Sequence, residues 1–142
     1  MKNASYAPLF ADYEKRLQAK LTLFEIVTKK ADTIPQIIQL ESDFILSKII
    51  PSDYVIALDE RGKTFSSEQI AAELEKIDLM EGRNPCFVIG GAEGLSEELR
   101  LRADQIWSFG SQTWPHLMVR LMLVEQLYRA EQISKGHPYH RR

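Results

Sequence analysis

Apolar positions along this chain alternate between two rhythms. "PLFADYEKRL", Pro8 to Leu17, places Leu9, Phe10, Tyr13 and Leu17 on one face at helical spacing. "LTLFEIV", Leu21 to Val27, alternates and is rich in strand formers, which predicts a strand. After the polar loop "KKADTIP", residues Gln36 to Ile49 return to helical spacing and stop before Pro51. "DYVIALD", Asp53 to Asp59, is a short continuous apolar run, as in a strand buried on both faces. "ERGK" reads as a turn, and a serine cap at Ser66 or Ser67 opens a helix running to about Met80. "EGRN" is a second turn, and "PCFVIGG", Pro85 to Gly91, is another buried strand. "SEELRLRADQI" is a helix capped by Ser96, "IWSFGS" a short strand, and "PHLMVRLMLVEQLYRAEQIS" the longest helix. Pro115 suits the first turn of that helix, where its missing N–H costs nothing, and Thr113 is a candidate cap.

Strands thus alternate with helices from end to end. That order predicts an α/β fold, a parallel sheet with helices on both faces, in a single domain spanning residues 1–142. Such sheets bind ligands outside the carboxyl ends of their strands. Three strand ends carry suitable residues: "LDERGK" at 58–63, "IGGAEG" at 89–94 and "FGSQTWPH" at 109–116. The last helix is apolar over a wide arc, through Leu117, Met118, Leu121, Met122, Val124, Leu127 and Tyr128. A helix with one face in solvent shows a narrower stripe, so this one is central to the core or also a subunit interface.

Composition narrows the class. The 142 residues suffice for one hydrophobic core, and 44% apolar with 27% charged is ordinary for a globular domain. A formal charge of −2 excludes a generally basic nucleic-acid binder and requires any RNA-binding surface to be local. One cysteine, Cys86, can form no internal disulfide, which suits a reducing cytoplasm. No apolar run reaches membrane-spanning length, so no membrane partner is expected, and no signal peptide is recognised at the start.

The motifs differ in specificity. "IGGAEG" follows an apolar strand and precedes a helix, so its glycines allow close backbone approach to a ligand or positive φ. Its G-G-x-x-G spacing is not the dinucleotide fingerprint and no Gly-Lys-Ser/Thr follows; a tight strand-to-helix turn explains it equally well. Asp59, Glu60, Arg61 and Lys63 are charges in a turn, ordinarily just solvated, and matter only if the glycine loop lies beside them. His116 and Arg120 share a helix face, and Glu125 and Arg129 can pair at i, i+4. His137 and His140 in "HPYH" could bind a metal, but no third ligand accompanies them, so no metal is expected. Two histidines, a tyrosine and two arginines crowd the last six residues, "HPYHRR". Chain ends usually fray, so this is either a solvated tail or one that folds back onto a site.

Taken together, "DYEKRL", "LDERGK", "IGGAEG", "PHLMVRLMLVEQLYRA" and "HPYHR" closely resemble, in this order and spacing, the bacterial large-subunit rRNA pseudouridine N3-methyltransferases, trefoil-knotted enzymes of the SPOUT class. The likeness extends from about residue 8 to the end. It implies a C-terminal trefoil knot and S-adenosylmethionine as methyl donor. Leu58 and Gly91 would contact the cofactor, and Gly110, Ser111, Gln112, Thr113, Trp114 and Pro115 would wrap its adenosyl group. Tyr139, His140 and Arg141 would face the target base, the tail returning to the cofactor pocket. The partners implied are the ribosome with its large-subunit rRNA and a second copy of the chain, paired along the last helix.

Methyl transfer to N3 of a pseudouridine needs the imide proton removed and the nucleophile held in line with the donor. His140 is the candidate acceptor of that proton, Tyr139 would stack on or orient the base, and Arg141 would stabilise the developing charge or hold a phosphate. Two other functions remain open: a non-catalytic nucleotide- or RNA-binding dimer on the same sheet, and a related knotted tRNA methyltransferase. The chain departs from the family in one respect. Members begin with an apolar strand and a Val-Gly-Lys turn, whereas "MKNASYA" passes straight into helix. Either the start lies downstream of the natural one or this variant lacks that strand.

Overall fold

Val55 and Ala57 of the central strand face one side of the sheet, Ile56 and Leu58 the other, and all four are buried. Burial on both faces is why "VIAL" reads as an unbroken apolar run. A computed structural model describes residues 5–26, 33–91 and 93–141. In it this strand, β1 (Tyr54–Thr64), lies between β2 (Pro85–Ile89) and β3 (Gln105–Ser108), in the order β2-β1-β3, and both pairings are parallel. Helices α3 (Ser67–Lys76) and α5 (His116–Ser134) cover one face, meeting Ile56 and Leu58 with Ile70, Ala71, Leu123 and Ala130. On the other face Val55, Ala57 and Val88 pack with Leu99 of α4 (Glu97–Arg102) and with Ile45, Leu46 and Ile49 at the end of α2 (Ile34–Lys48). Helix α1 (Ala7–Arg16) lies on α5, with Phe10 buried and the Tyr13 ring 6.0 Å from that of Tyr128. The expected α/β sheet with helices on both faces is therefore present. Among the described residues, no helix is long and apolar enough to cross a membrane.

Four expectations fail locally. Residues 21–26 of the expected strand Leu21–Val27 are irregular, and Val27 lies outside the described residues. A strand needs a neighbour to take its backbone hydrogen bonds, and among the described residues none pairs with this segment. It is held by side chains instead: Glu25 accepts from Arg120 of α5 at 2.5 Å, and the Lys48 ammonium lies 5.0 Å from the Phe24 ring centre.

"ERGK" is not a turn but part of β1. Leu58 pairs with Trp107 and so does Lys63, so residues 59–62 bulge out between two pairings with one residue of β3. Gly62 permits this, because a Cβ there would stand 2.6 Å from the Ile106 carbonyl oxygen.

The helix expected over 96–106 stops at Arg102. Asp104 takes the chain into the sheet: its N–H donates to the Val55 carbonyl and its carboxylate accepts the Val55 N–H, each at 2.8 Å. Thr113 does not cap α5, whose N-cap is Pro115; its hydroxyl donates to Glu60 instead, at 3.3 Å. The cap of α3 is Ser66, which with Gln69 forms a reciprocal capping box. A single π-helical turn, Ile77–Glu81, then ends at Gly82 with φ 59°.

Candidate active site

The three strand ends singled out in the sequence open into one cleft of about 870 Å³, within the range of small-molecule sites. Leu58, the last residue of β1 before its bulge, and Ile89, which ends β2, lie beside the buried Trp107 of β3, and this apolar floor is the product of parallel register. Among the residues expected to hold a cofactor, Leu58, Gly91, Gly110, Gln112, Thr113, Trp114 and Pro115 all line the cleft. Ser111, in the same loop, does not.

Backbone constraints shape two walls. The glycine loop folds on itself through a Gly91–Gly94 bridge, and a Cβ on Gly90 would press to 2.7 Å from the Leu95 side chain. Behind it, a Cβ on Gly91 would meet the Glu41 carboxylate of α2 at 2.5 Å. In the other loop Gly110 has φ 121°, a conformation that side-chain-bearing residues rarely adopt. The buried Ser108 hydroxyl fixes it, accepting the Gly110 N–H at 3.0 Å.

Charges of both signs edge the cleft. Arg100 of α4 donates to Asp59 in the β1 bulge, and Arg61 does so through its backbone N–H at 2.9 Å and its side chain at 3.3 Å. Burial opposes ionisation of Asp59, but the Arg61 N–H and the Arg100 and Arg61 guanidinium groups outweigh it and hold the carboxyl below its ordinary value. The Thr113–Glu60 bond ties the bulge to the opposite loop. Arg100 and Trp107 also line the cleft and were not singled out for it in the sequence, whereas His116 belongs to the stretch 109–116 that was. Arg100 was concealed because its Asp59 partner lies 41 positions away, with no local spacing to mark the pair. His116 does not join Arg120 in one site; Arg120 turns to Glu25.

The tail lies elsewhere. Tyr139, His140 and Arg141 do not line the cleft of their own chain. Tyr139 packs edge-on to Tyr128 of α5, with ring centres 4.7 Å apart, and donates to Glu125 at 3.2 Å. Burial first, then a hydrogen bond with Tyr13 and the Glu125 charge, push the Tyr139 phenol well above its ordinary value. The expected Glu125–Arg129 pair forms at 2.6 Å, and that hydrogen bond raises the Arg129 pKa further. Arg129 also reaches His140 Nδ1 at 3.1 Å, while His140 Nε2 lies 3.0 Å from Glu68 of α3. Ser67 donates to Gln126, and Gln126 donates to Glu125, closing a circuit between the first turn of α3 and the tail. The two histidines diverge in their partners: His137 Nδ1 accepts the Tyr139 N–H at 3.1 Å. No group of three metal-ligating side chains is found among the described residues. Arg141 is exposed.

Comparison with known proteins gives consistent matches. The family described as "predicted SPOUT methyltransferase" matches residues 1–140. The "ribosomal RNA large subunit methyltransferase H" of Rhodospirillum centenum is 47% identical over 133 residues, covering 94% of this chain and 88% of the relative. Proteins of that name from Rhodospirillum rubrum and Streptococcus thermophilus are 41% and 44% identical, covering 94% and 92% of this chain and 88% and 87% of their own lengths.

Proposed function

This chain belongs to the SPOUT methyltransferase family, and on that premise we propose that it transfers a methyl group from S-adenosylmethionine to N3 of a pseudouridine in large-subunit ribosomal RNA, acting on the ribosome in the cytoplasm as a homodimer. The observation that carries this reading is the convergence of residues from three distant segments, 58–61, 89–91 with 93–95, and 107–116, on one cleft with an apolar floor and backbone walls. Such a cleft fits an adenosyl group: Leu58, Ile89 and Trp107 offer apolar surface, and the 110–115 loop offers main-chain donors and acceptors. Asp59, Glu60, Arg61 and Arg100 place both signs of charge where the zwitterionic amino-acid end of the cofactor would lie. Bound there, S-adenosylmethionine supplies an electrophilic methyl carbon on a positively charged sulfur.

The tail supplies the other half. Helix α5 bears cleft residues His116 and Val119 in its first turn and the tail's partners Glu125 and Arg129 farther along. The tail folds back onto the middle of the helix, where Glu125 lies roughly 9 Å along the axis from Val119, yet none of residues 139–141 lines the cleft of its own chain. Leu117, Met118, Leu121 and Met122 remain half-buried on the single chain. Two copies packed antiparallel along that surface would bring each tail to the other's cleft, as two-fold symmetry allows. There Tyr139 would orient the base, His140 would accept the imide proton, and Arg141 would hold a phosphate or the developing negative charge.

The test is a paired assay. Ribosomes from cells lacking this protein should lack one methyl group on a large-subunit pseudouridine, and purified protein with S-adenosylmethionine should restore it. RNA binding without S-adenosylhomocysteine binding would support a non-catalytic RNA-binding dimer instead, and transfer to tRNA alone would redirect the substrate.

A further inference from the structure

We propose that Glu68 is a positioning residue for His140: from the first turn of α3 it fixes which ring nitrogen carries the proton and stabilises the imidazolium formed when that ring accepts a proton from substrate. This inference rests on the preceding reading of His140 as proton acceptor. His140 lies between two partners of opposite polarity, Arg129 Nη1 at 3.1 Å from Nδ1 and Glu68 Oε1 at 3.0 Å from Nε2. A guanidinium only donates and a carboxylate only accepts. In the neutral ring, Nδ1 must therefore hold the lone pair, and Nε2 must carry hydrogen and donate it to Glu68. One partner alone would leave the ring free to flip, whereas the two together select one tautomer and one orientation.

The origins of the two partners differ. Arg129 belongs to the helix that leads into the tail, and Glu125 of that helix already neutralises it. Glu68 reaches His140 from 72 positions away, on α3, whose Ser66 cap and Ser67–Gln126 bond fix it against α5. Among the described residues, the charged and titratable groups facing His140 include Glu68 of α3, Arg129 of α5 with Glu125 behind it, and Tyr139 in the tail itself.

The proton step follows from that polarity. Arg129 releases Nδ1 as substrate enters. The imide N3–H bond breaks and leaves its electron pair on N3, while a new N–H bond forms at Nδ1. The resulting imidazolium keeps its Nε2–H on Glu68, whose negative charge faces the new positive one. The methyl group takes the proton's place on N3, so the positive charge that arrives on the donor's sulfur leaves on His140.

Two variants and a spectroscopic measurement test this in the full-length protein. In nitrogen-15 histidine spectra the wild-type His140 ring should show the Nε2–H tautomer, and Glu68→Ala should lose that preference. Glu68→Ala should lower kcat by roughly ten-fold or more, a fraction of the ~10²–10⁴ that a positioned general base supplies, with S-adenosylhomocysteine affinity unchanged. Glu68→Gln keeps an acceptor for Nε2–H but not the charge. It should retain the tautomer and lose part of kcat, because no negative charge then faces the imidazolium. Wild-type kcat in both folded variants, with the Nε2–H tautomer kept in Glu68→Ala, would overturn the role of Glu68. Wild-type activity in His140→Ala would overturn the underlying reading of the tail, and the Glu68 inference with it. Impairment in His140→Ala with normal Glu68 variants would remove Glu68 alone.

Discussion

Gly62 and Gly110 serve the same cleft for different reasons, and their substitutions should fail differently. A Cβ on Gly62 would collide with the Ile106 carbonyl at 2.6 Å and with other β3 backbone atoms, which cannot rotate away. Gly62→Ala should therefore push β1 and β3 apart and destabilise the domain by about 1–3 kcal/mol, read as a lower urea midpoint. Gly110 sits at φ 121° in a surface loop, where its Cβ would meet the end of the Gln112 side chain. Gly110→Ala should cost less in stability than in ligand affinity: the 110–115 loop must change backbone conformation, and S-adenosylhomocysteine binding by calorimetry should weaken at least about ten-fold, equivalent to ~1.4 kcal/mol. Normal affinity in Gly110→Ala would dissociate this loop from the cofactor. Asp59 offers a pH test at the same scale. Its folded pKa is depressed, so its contribution to stability is complete above the unfolded value of about 3.9 and is lost as pH falls through the lower folded value. Asp59→Asn should be less stable than wild type at neutral pH, and the gap should narrow in denaturant titrations carried below pH ~4.

At the scale of elements, what was legible from sequence depended on whether local pattern or a distant partner decides the structure. The alternation of apolar runs and helical stripes was sufficient for β1, β2 and all five helices, because burial on two faces leaves a signature within a few residues. "LTLFEIV" shows the reverse case. Its alternation is genuine, but strand formation requires an adjacent strand, and residues 21–26 have none among those described. The bulge at 59–62 and the end of α4 at Arg102 were hidden for the same reason: Ile106 decides the first and Val55 the second, and neither is near in sequence. The strand ends forming the cleft were readable because parallel sheets place ligands there as a class. The Asp59–Arg100 pair and the Glu68–His140 contact were not, since each joins elements more than 40 positions apart. The knot implied by the family likeness leaves no mark in hydrophobic pattern, because it depends on the order in which segments pass one another rather than on what they bury.

For the whole molecule, the separation between cleft and tail leads to the strongest test. In one chain Tyr139 packs on Tyr128 and Glu125 of α5, none of residues 139–141 lines the cleft, and Arg141 is exposed. If the active site is completed by a second copy, dimer and activity must be lost together, while cofactor binding need not be. Met118→Glu or Leu121→Glu on the half-buried surface of α5 should give a monomer by light scattering at micromolar concentration, since a charge at an apolar interface is left unpaired. Removing residues 139–142 should give the complementary result: a folded dimer that still binds S-adenosylhomocysteine, because none of residues 139–141 lines the cleft of its own chain, yet methylates ribosomes far more slowly. Mixing the two defects decides between arrangements. A heterodimer pairing a tail-truncated chain with a Gly110→Ala chain retains one intact cleft and one intact tail. At S-adenosylmethionine concentrations too low to load the Gly110→Ala cleft, a tail that crosses to its partner serves the intact cleft and about half of the wild-type activity should return; if each tail serves its own chain, the heterodimer should stay as slow as its parents.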